Sequence, residues 1–255
     1  MEAQFEALSA LAKSGETLTF GQEFFVKFYQ AFLYNDRWLQ YIEGVGTTLL
    51  VTAIALVLGV VLGSVVALVR VGHDQQKPHH RNPVLGFINL ICQIYATVIR
   101  GTPMMVQLLI MSMVIFASSR NFTMVGALAL GINSGAYVSE IIRGGLMAVD
   151  PGQMEAGRSL GLNYITTMVL IIIPQAIRSI LPALGNEFII LLKDTSLITV
   201  IGGKELLYAA QGVMNRTYEA MFPLLGVAAI YLVLVLLFST LLGKLERRMA
   251  QSDRR

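Results

Sequence analysis

The sequence predicts an all-α polytopic membrane protein, with about five transmembrane helices, an N-terminal interfacial amphipathic helix and one short charged helix between two of the spans. Three observations carry this. Of 255 residues, 55% are hydrophobic and 14% charged, and the mean hydropathy is +0.65. The apolar residues gather in long runs, and one helical crossing takes about 20 of them. Lys and Arg collect in alternate connections between those runs, as the positive-inside rule describes.

In chain order, residues 1–43 form an extracytoplasmic or interfacial N-terminal segment. It holds six acids and no continuous apolar run, so no secretory signal is read and the first span serves as its own insertion signal. Phe20–Trp38 places Phe24, Phe25, Phe28, Tyr29 and Phe32 at helical spacing with Glu23, Lys27 and Gln30 between them. That pattern is an amphipathic helix lying in the membrane interface.

The transmembrane region is expected over residues 44–243. Span one is Gly44–Val69, ended by Arg70, with Gly59 and Gly63 spaced for close helix approach. The polar loop Arg70–Pro83 holds all three histidines; His79 and His80 have no Cys or carboxylate at ligand spacing, so no metal site is expected. Span two lies within Val84–Ala117 and is divided at Arg100 and Gly101-Thr102-Pro103. Its first part reads as a tilted or interfacial approach and Met104–Phe116 as the deeper part.

Span three is about Phe122–Ile142. Asp150-Pro151-Gly152 then opens a short amphipathic helix, about 152–161, carrying Glu155, Ala156, Arg158, Ser159 and Leu160 and stopped by Gly161. Pro174 is expected to interrupt the apolar run beyond it. For span four, Ile177–Ile201 is preferred to Thr166–Leu192, because the second window buries Arg178 and two prolines. A polar segment, Lys204–Glu219, leads to span five, Phe222–Leu242, and to a basic tail over 244–255.

Arg70, Lys77 and Arg81 follow span one, Arg143 and Arg158 flank the short helix, and five basic residues lie in the tail. The other side carries Lys13, Lys27, Arg37, Arg120, Lys204 and Arg216 among many acids. This puts the N-terminus outside and the short helix and C-terminus in the cytoplasm. The single Cys92 excludes a disulfide framework. A net charge of +3 gives no argument for nucleic acid.

Several activities lack their residues. No Gly-x-x-x-x-Gly-Lys-Ser/Thr phosphate loop is present; Gly203-Lys204 and Gly243-Lys244 lack the upstream glycine and the hydroxyl. Gly131-Ile132-Asn133-Ser134-Gly135 loosely imitates a nucleophile turn, but every histidine that could serve as base lies in the polar loop. A self-contained secondary transporter or channel is the alternative of another class. Such proteins often show paired repeats, and none is apparent. Polar groups inside the spans are the candidates for substrate contact, because leaving them in lipid is costly. They are Glu140, Asn186, Glu187, Lys193, Asp194 and Gln107. Glu140 can instead pair with Arg143 three residues on, and the others can pair between helices.

The short helix opens a recognisable pattern. Glu155, Ala156, Gly157, Gly161, Ile171, Ile173 and Pro174 fill the spacing of the "EAA" motif and resemble the permeases of ABC importers, with Gly157 where Ala is usual. RGTPMMVQ (Arg100–Gln107), SGAYVSEIIRGGL (Ser134–Leu146), PQAIRSILPALGNEFI (Pro174–Ile189) and KDTSL (Lys193–Leu197) resemble the polar amino-acid branch of that family. The resemblance covers about Gly44–Arg248. It implies a type I importer subunit with no catalytic residues of its own. Glu155, Ala156, Gly157, Arg158 and Gly161 would couple it to a cytoplasmic ATPase that holds the ATP and Mg. Further implied partners are a second permease, identical or homologous, a second ATPase, an extracytoplasmic amino-acid-binding protein, the bilayer and the amino acid itself. The expected location is the bacterial inner membrane.

Overall fold

The computed structural model describes residues 1–76 and 82–252, and every regular element among them is helical. Among the described residues, five helical stretches are long and apolar enough to cross a membrane: Tyr34–Asp74, Pro83–Gly101, Phe122–Met147, Tyr164–Ile201 and Met221–Met249. The number matches the sequence expectation, but several boundaries differ for physical reasons.

Two helices precede the first span, α1 (Glu2–Lys13) and α2 (Phe20–Phe32); α1 was not expected. Thr19 and Gln22 form a capping box at the start of α2. The expected helix to Trp38 stops at Phe32, because Asn35 and Asp36 adopt left-handed φ of 51° and 52°, which these two residue types tolerate. The aromatic stripe of α2 is partly covered. Phe24 and Phe28 meet Phe222 edge-on, at 5.0 and 6.4 Å between centroids, while Phe20 remains outward. Lys27 bridges Glu23 at 2.8 Å and Glu219 at 3.2 Å, and these hydrogen bonds, Glu23's first, raise its pKa.

Span one, α3 (Arg37–Asp74), is longer than expected at both ends. At 1.5 Å per residue, its 38 residues reach about 57 Å, so it projects beyond the hydrocarbon. It packs along α6 (Phe122–Met147), the most enclosed span. Gly59 and Gly63 make that approach possible: a Cβ on them would lie 2.7 Å from Ser134 Oγ and Val138 Cγ1, respectively.

The second span corrects the sequence reading. The crossing helix is α4 (Pro83–Gly101), and the stretch after the break is the shorter one: α5 (Met104–Ile110) with a π-helical turn over Met111–Ile115. Pro83 sits in the first turn of α4, where its missing N–H costs nothing.

After α7 (Pro151–Ser159) and α8 (Tyr164–Thr167), the fourth span is one helical stretch containing both prolines, so neither window was right. A π-helical turn, Met168–Ile172, precedes α9 (Ile173–Asp194). Pro174 therefore stands in the first turn of α9 and continues the helix instead of interrupting it. A 3-10 segment (Thr195–Ile201), α10 (Leu206–Thr217) and α11 (Met221–Ser252) complete the chain.

Three apolar clusters hold the bundle. One joins α3, α5, α6 and the 3-10 segment through Val51, Leu108, Leu130 and Ile198. A second, at the end bearing α7, joins Val71, Leu146, Met168, Ile172 and Ile180. A third, at the opposite end of α3, joins Tyr41, Leu206, Val213 and Val227.

Candidate functional site

The α7 helix is built by its own caps. Asp150 accepts a hydrogen bond from Gly152 N at 2.7 Å and Pro151 occupies the first turn, both strong start signals. At the other end Gly161 takes φ +85°, a conformation that costs an L side chain about 1–2 kcal/mol. Gly161 N donates to Arg158 O at 3.1 Å and Leu162 N to Gly157 O at 3.2 Å, closing the turn.

One face of α7 is anchored and the other is presented. Gly157 is buried; a Cβ there would lie 2.6 Å from Thr167 Cγ2 and 3.1 Å from Ile171 Cδ1. Met154 joins the apolar cluster of α3, α6 and α9, and Gln175 Nε2 donates to Gln153 Oε1 at 3.3 Å. Glu155, Ala156 and Arg158 are exposed. Among the described residues, neither Glu155 nor Arg158 has an ion-pair or hydrogen-bond partner. Leu160, 81% exposed, stands at the tip. An unpaired acid, an unpaired arginine and a bare leucine on a helix welded to the bundle make a surface suited to a protein partner.

The candidate path residues separate into three groups. In α9, Asn186 and Lys193 lie two turns apart on an exposed face, with Ile190 between them. Glu187 turns inward, 6% exposed, and accepts a hydrogen bond from Ser134 Oγ at 2.7 Å, while Asp194 two turns on is half-buried. Ser134 thus serves α6–α9 contact, its side-chain partner being a carboxylate. The histidine described in full, His73, instead faces Asn89 at 3.1 Å.

Glu140 is committed elsewhere. It accepts from Arg70, from Arg143 Nε at 3.2 Å and lies 3.3 Å from Arg100 Nη1. Arg143 also approaches Asp74 at 3.7 Å. The five-residue cluster ties α3, α4 and α6 together beside a polar cavity of about 450 Å³ lined by Arg70, Gln93, Thr97, Arg100 and Glu140. Gln107 is a staple rather than a free contact. Its amide donates to Ile99 O at 2.7 Å and Thr102 Oγ1 at 2.8 Å across the α4–α5 break, and accepts from Asn133 at 2.9 Å.

Sequence reasoning missed Glu205. It is 1% exposed and accepts from Tyr231 OH at 2.7 Å, Tyr208 N at 2.9 Å, Thr48 Oγ1 at 3.4 Å and from Thr199 Oγ1. One carboxylate thereby joins α3, the 3-10 segment, α10 and α11. Nothing local marked it, since Lys204–Glu219 reads as a polar loop and Thr48 is 157 residues away. Among the described residues no group of three or more His, Cys, Asp or Glu could hold a metal; His79 and His80 lie outside those residues.

Residues 84–251 match the family described as binding-protein-dependent transport system inner membrane component. The chain is 35% identical over 212 residues to a glutamine transport system permease protein of Escherichia coli K12, covering 82% of this chain and 92% of that one. It is 36% identical over 218 residues to an arginine transport system permease protein of Bacillus subtilis, covering 83% and 93%. Among solved structures, an amino acid ABC transporter described with histidines superimposes with a TM-score of 0.73 at 43% identity, covering 82% and 94%. A methionine ABC transporter in an inward-facing conformation shares the fold alone, with a TM-score of 0.71 at 18% identity. The match across two thirds of the chain, and relatives aligned over more than four fifths of it, place the α7 surface and the five spans in one context: the chain belongs to the family of binding-protein-dependent inner-membrane transport components, the permease subunits of ABC importers.

Proposed function

We propose that this permease subunit carries polar amino acids into the cytoplasm and receives its work through α7, which docks on a cytoplasmic ATPase. The observation that carries this is the two-sided construction of α7. Its buried side is seated on α8 and the π-helical turn of the fourth span through Gly157, Thr167 and Ile171, with Met154 joining the apolar cluster beneath, and its outer side offers Glu155, Arg158 and Leu160 without a partner among the described residues. A force applied outside is therefore passed first to the start of the fourth span, and through the apolar cluster to the helices packed on it.

ATP and Mg belong to the two partner ATPases, and this chain supplies the bistable element without chemistry of its own. Closure of the ATPases shifts the population between inward- and outward-facing arrangements. A second permease, identical or homologous, completes the path, and an extracytoplasmic binding protein delivers the amino acid. The N-terminus lies outside and α7 and the basic tail lie in the cytoplasm, following the distribution of Lys and Arg. The names of relatives carrying glutamine and arginine support a polar amino acid as cargo. Within the path, the buried Glu187 and the half-buried Asp194 are the acids that would face an ammonium or guanidinium group.

The test is Glu155→Lys. The variant is expected to insert and to melt like the parent, because Glu155 is exposed and has no hydrogen-bond or ion-pair partner among the described residues, yet to lose co-purification with the ATPase and ATP-driven uptake. Uptake and ATPase retention at parental levels would overturn the docking assignment.

A further inference from the structure

We infer that the groove between α9 and the C-terminal end of α11 binds an anionic phospholipid, the acyl chain lying in the groove and the headgroup resting on Arg248 and Lys244. The groove encloses about 630 Å³ and is apolar along its length, lined by Leu56, Val60, Leu181, Phe188, Leu242 and Leu245. This volume lies within the range of small-molecule sites. Phe188, in its wall, packs edge-on against Phe238 of α11 at 4.8 Å. Gly185 lets α9 approach α11 closely along the wall, a Cβ there meeting Leu242 Cδ2 at 2.9 Å.

The length and charge of the groove match a lipid and not merely a crevice in the bundle. Val60 lies ten residues, about 15 Å, from Arg70 along α3, and half of the hydrocarbon core is about 15 Å. On α3 the lining reaches back to Leu56 and Val60, toward the bilayer middle, while on α11 it runs out from Leu242 to Met249. From Met221, about 20 residues span the hydrocarbon, which brings α11 to Leu241 and puts Lys244–Met249 at the headgroups. There Arg248 and Met249 line the mouth, Lys244 lies one turn before Arg248 on the same side, and Arg247 is adjacent. Glu246 also lines the mouth, leaving the four charged residues at a net +2. Clustered basic residues just beyond a span attract anionic lipid, each worth about a fivefold gain in affinity. This inference rests on the membrane-spanning reading and not on the identity of the cargo.

The experiment incubates the detergent-purified importer with phosphatidylglycerol or phosphatidylcholine and counts retained lipid by native mass spectrometry. The parent is expected to retain phosphatidylglycerol preferentially. Arg248→Gln should lower that preference about fivefold and Lys244→Gln/Arg248→Gln about 25-fold. Leu245→Trp, at a position already exposed, should block retention of the lipid without unfolding the chain. Equal retention of the two lipids by the parent, or an unchanged preference in the double variant, would overturn the proposal. So would efficient cross-linking of two chains through Leu245→Cys in membranes, which would assign the groove to a second copy. None of these outcomes depends on transport, so each is separable from failure of the importer reading.

Discussion

Replacing Gly157 by alanine puts a Cβ 2.6 Å from Thr167 Cγ2, 0.8 Å short of the 3.4 Å at which ordinary contact begins. Thr167 cannot simply turn away, because its Oγ1 donates to Asn163 O at 3.0 Å and the residue is fully buried. Overpacking of this kind costs about 1–3 kcal/mol. The cheapest relief is to lift α7 from α8 and the π-helical turn beneath it, since α7 is short and its other face is free. Each 1.4 kcal/mol spent in holding α7 at its docking position weakens the ATPase interface about tenfold. Gly157→Ala should therefore lower the ratio of amino acid imported to ATP hydrolysed in proteoliposomes, while the protein still inserts. Thr167→Ser removes the colliding methyl and keeps the hydroxyl, so Gly157→Ala/Thr167→Ser should recover coupling. Parental coupling in the single variant, or no recovery in the double, would refute the argument that this contact seats α7.

Three other outcomes rest on the same geometry. Gly161→Leu has open space around it but needs φ +85°, so a strain of about 1–2 kcal/mol should fray the end of α7 and uncouple transport without changing insertion, as read by parallel membrane-fraction and uptake assays. Glu205→Ala leaves the Thr199 and Tyr231 hydroxyls and the Tyr208 N–H short of an acceptor. At about 1 kcal/mol for each group this costs on the order of 3 kcal/mol, visible as a lower melting midpoint in detergent, with Glu205→Gln falling much less. Glu187→Gln together with Asp194→Asn should reduce uptake of the cargo; unchanged uptake across a panel of amino acids would remove both from the path.

The spans were legible because each is a long apolar run, and the α7 helix because Asp150-Pro151 and Gly161 are local signals with fixed backbone consequences. The features that escaped are those a distant neighbour decides. Arg70 reads as the end of a span, yet the helix continues to Asp74 because Glu140 of α6 accepts its charge. Pro174 reads as a break, yet the π-helical turn before it sets it in the first turn of α9. Gly157 reads as an indifferent small residue in place of alanine, but the Thr167 methyl ten residues on leaves no room for a Cβ. Gln107 reads as a polar group awaiting substrate and proves occupied by partners within the bundle, while Glu140 makes the Arg143 pair its spacing allows but also meets Arg70 and Arg100 from two other helices. Glu205 was invisible because its partners come from four separate parts of the chain.

The central claim is that this subunit moves amino acids only when an ATPase works on α7. Its most direct test is uptake of radiolabelled glutamine and arginine into proteoliposomes holding the complex purified from native membranes, with amino-acid-binding protein supplied and with or without ATP. Accumulation of at least one amino acid is expected, requiring both ATP and the binding protein and disappearing in Glu155→Lys. Uptake by the purified chain alone, without ATP, would contradict the claim.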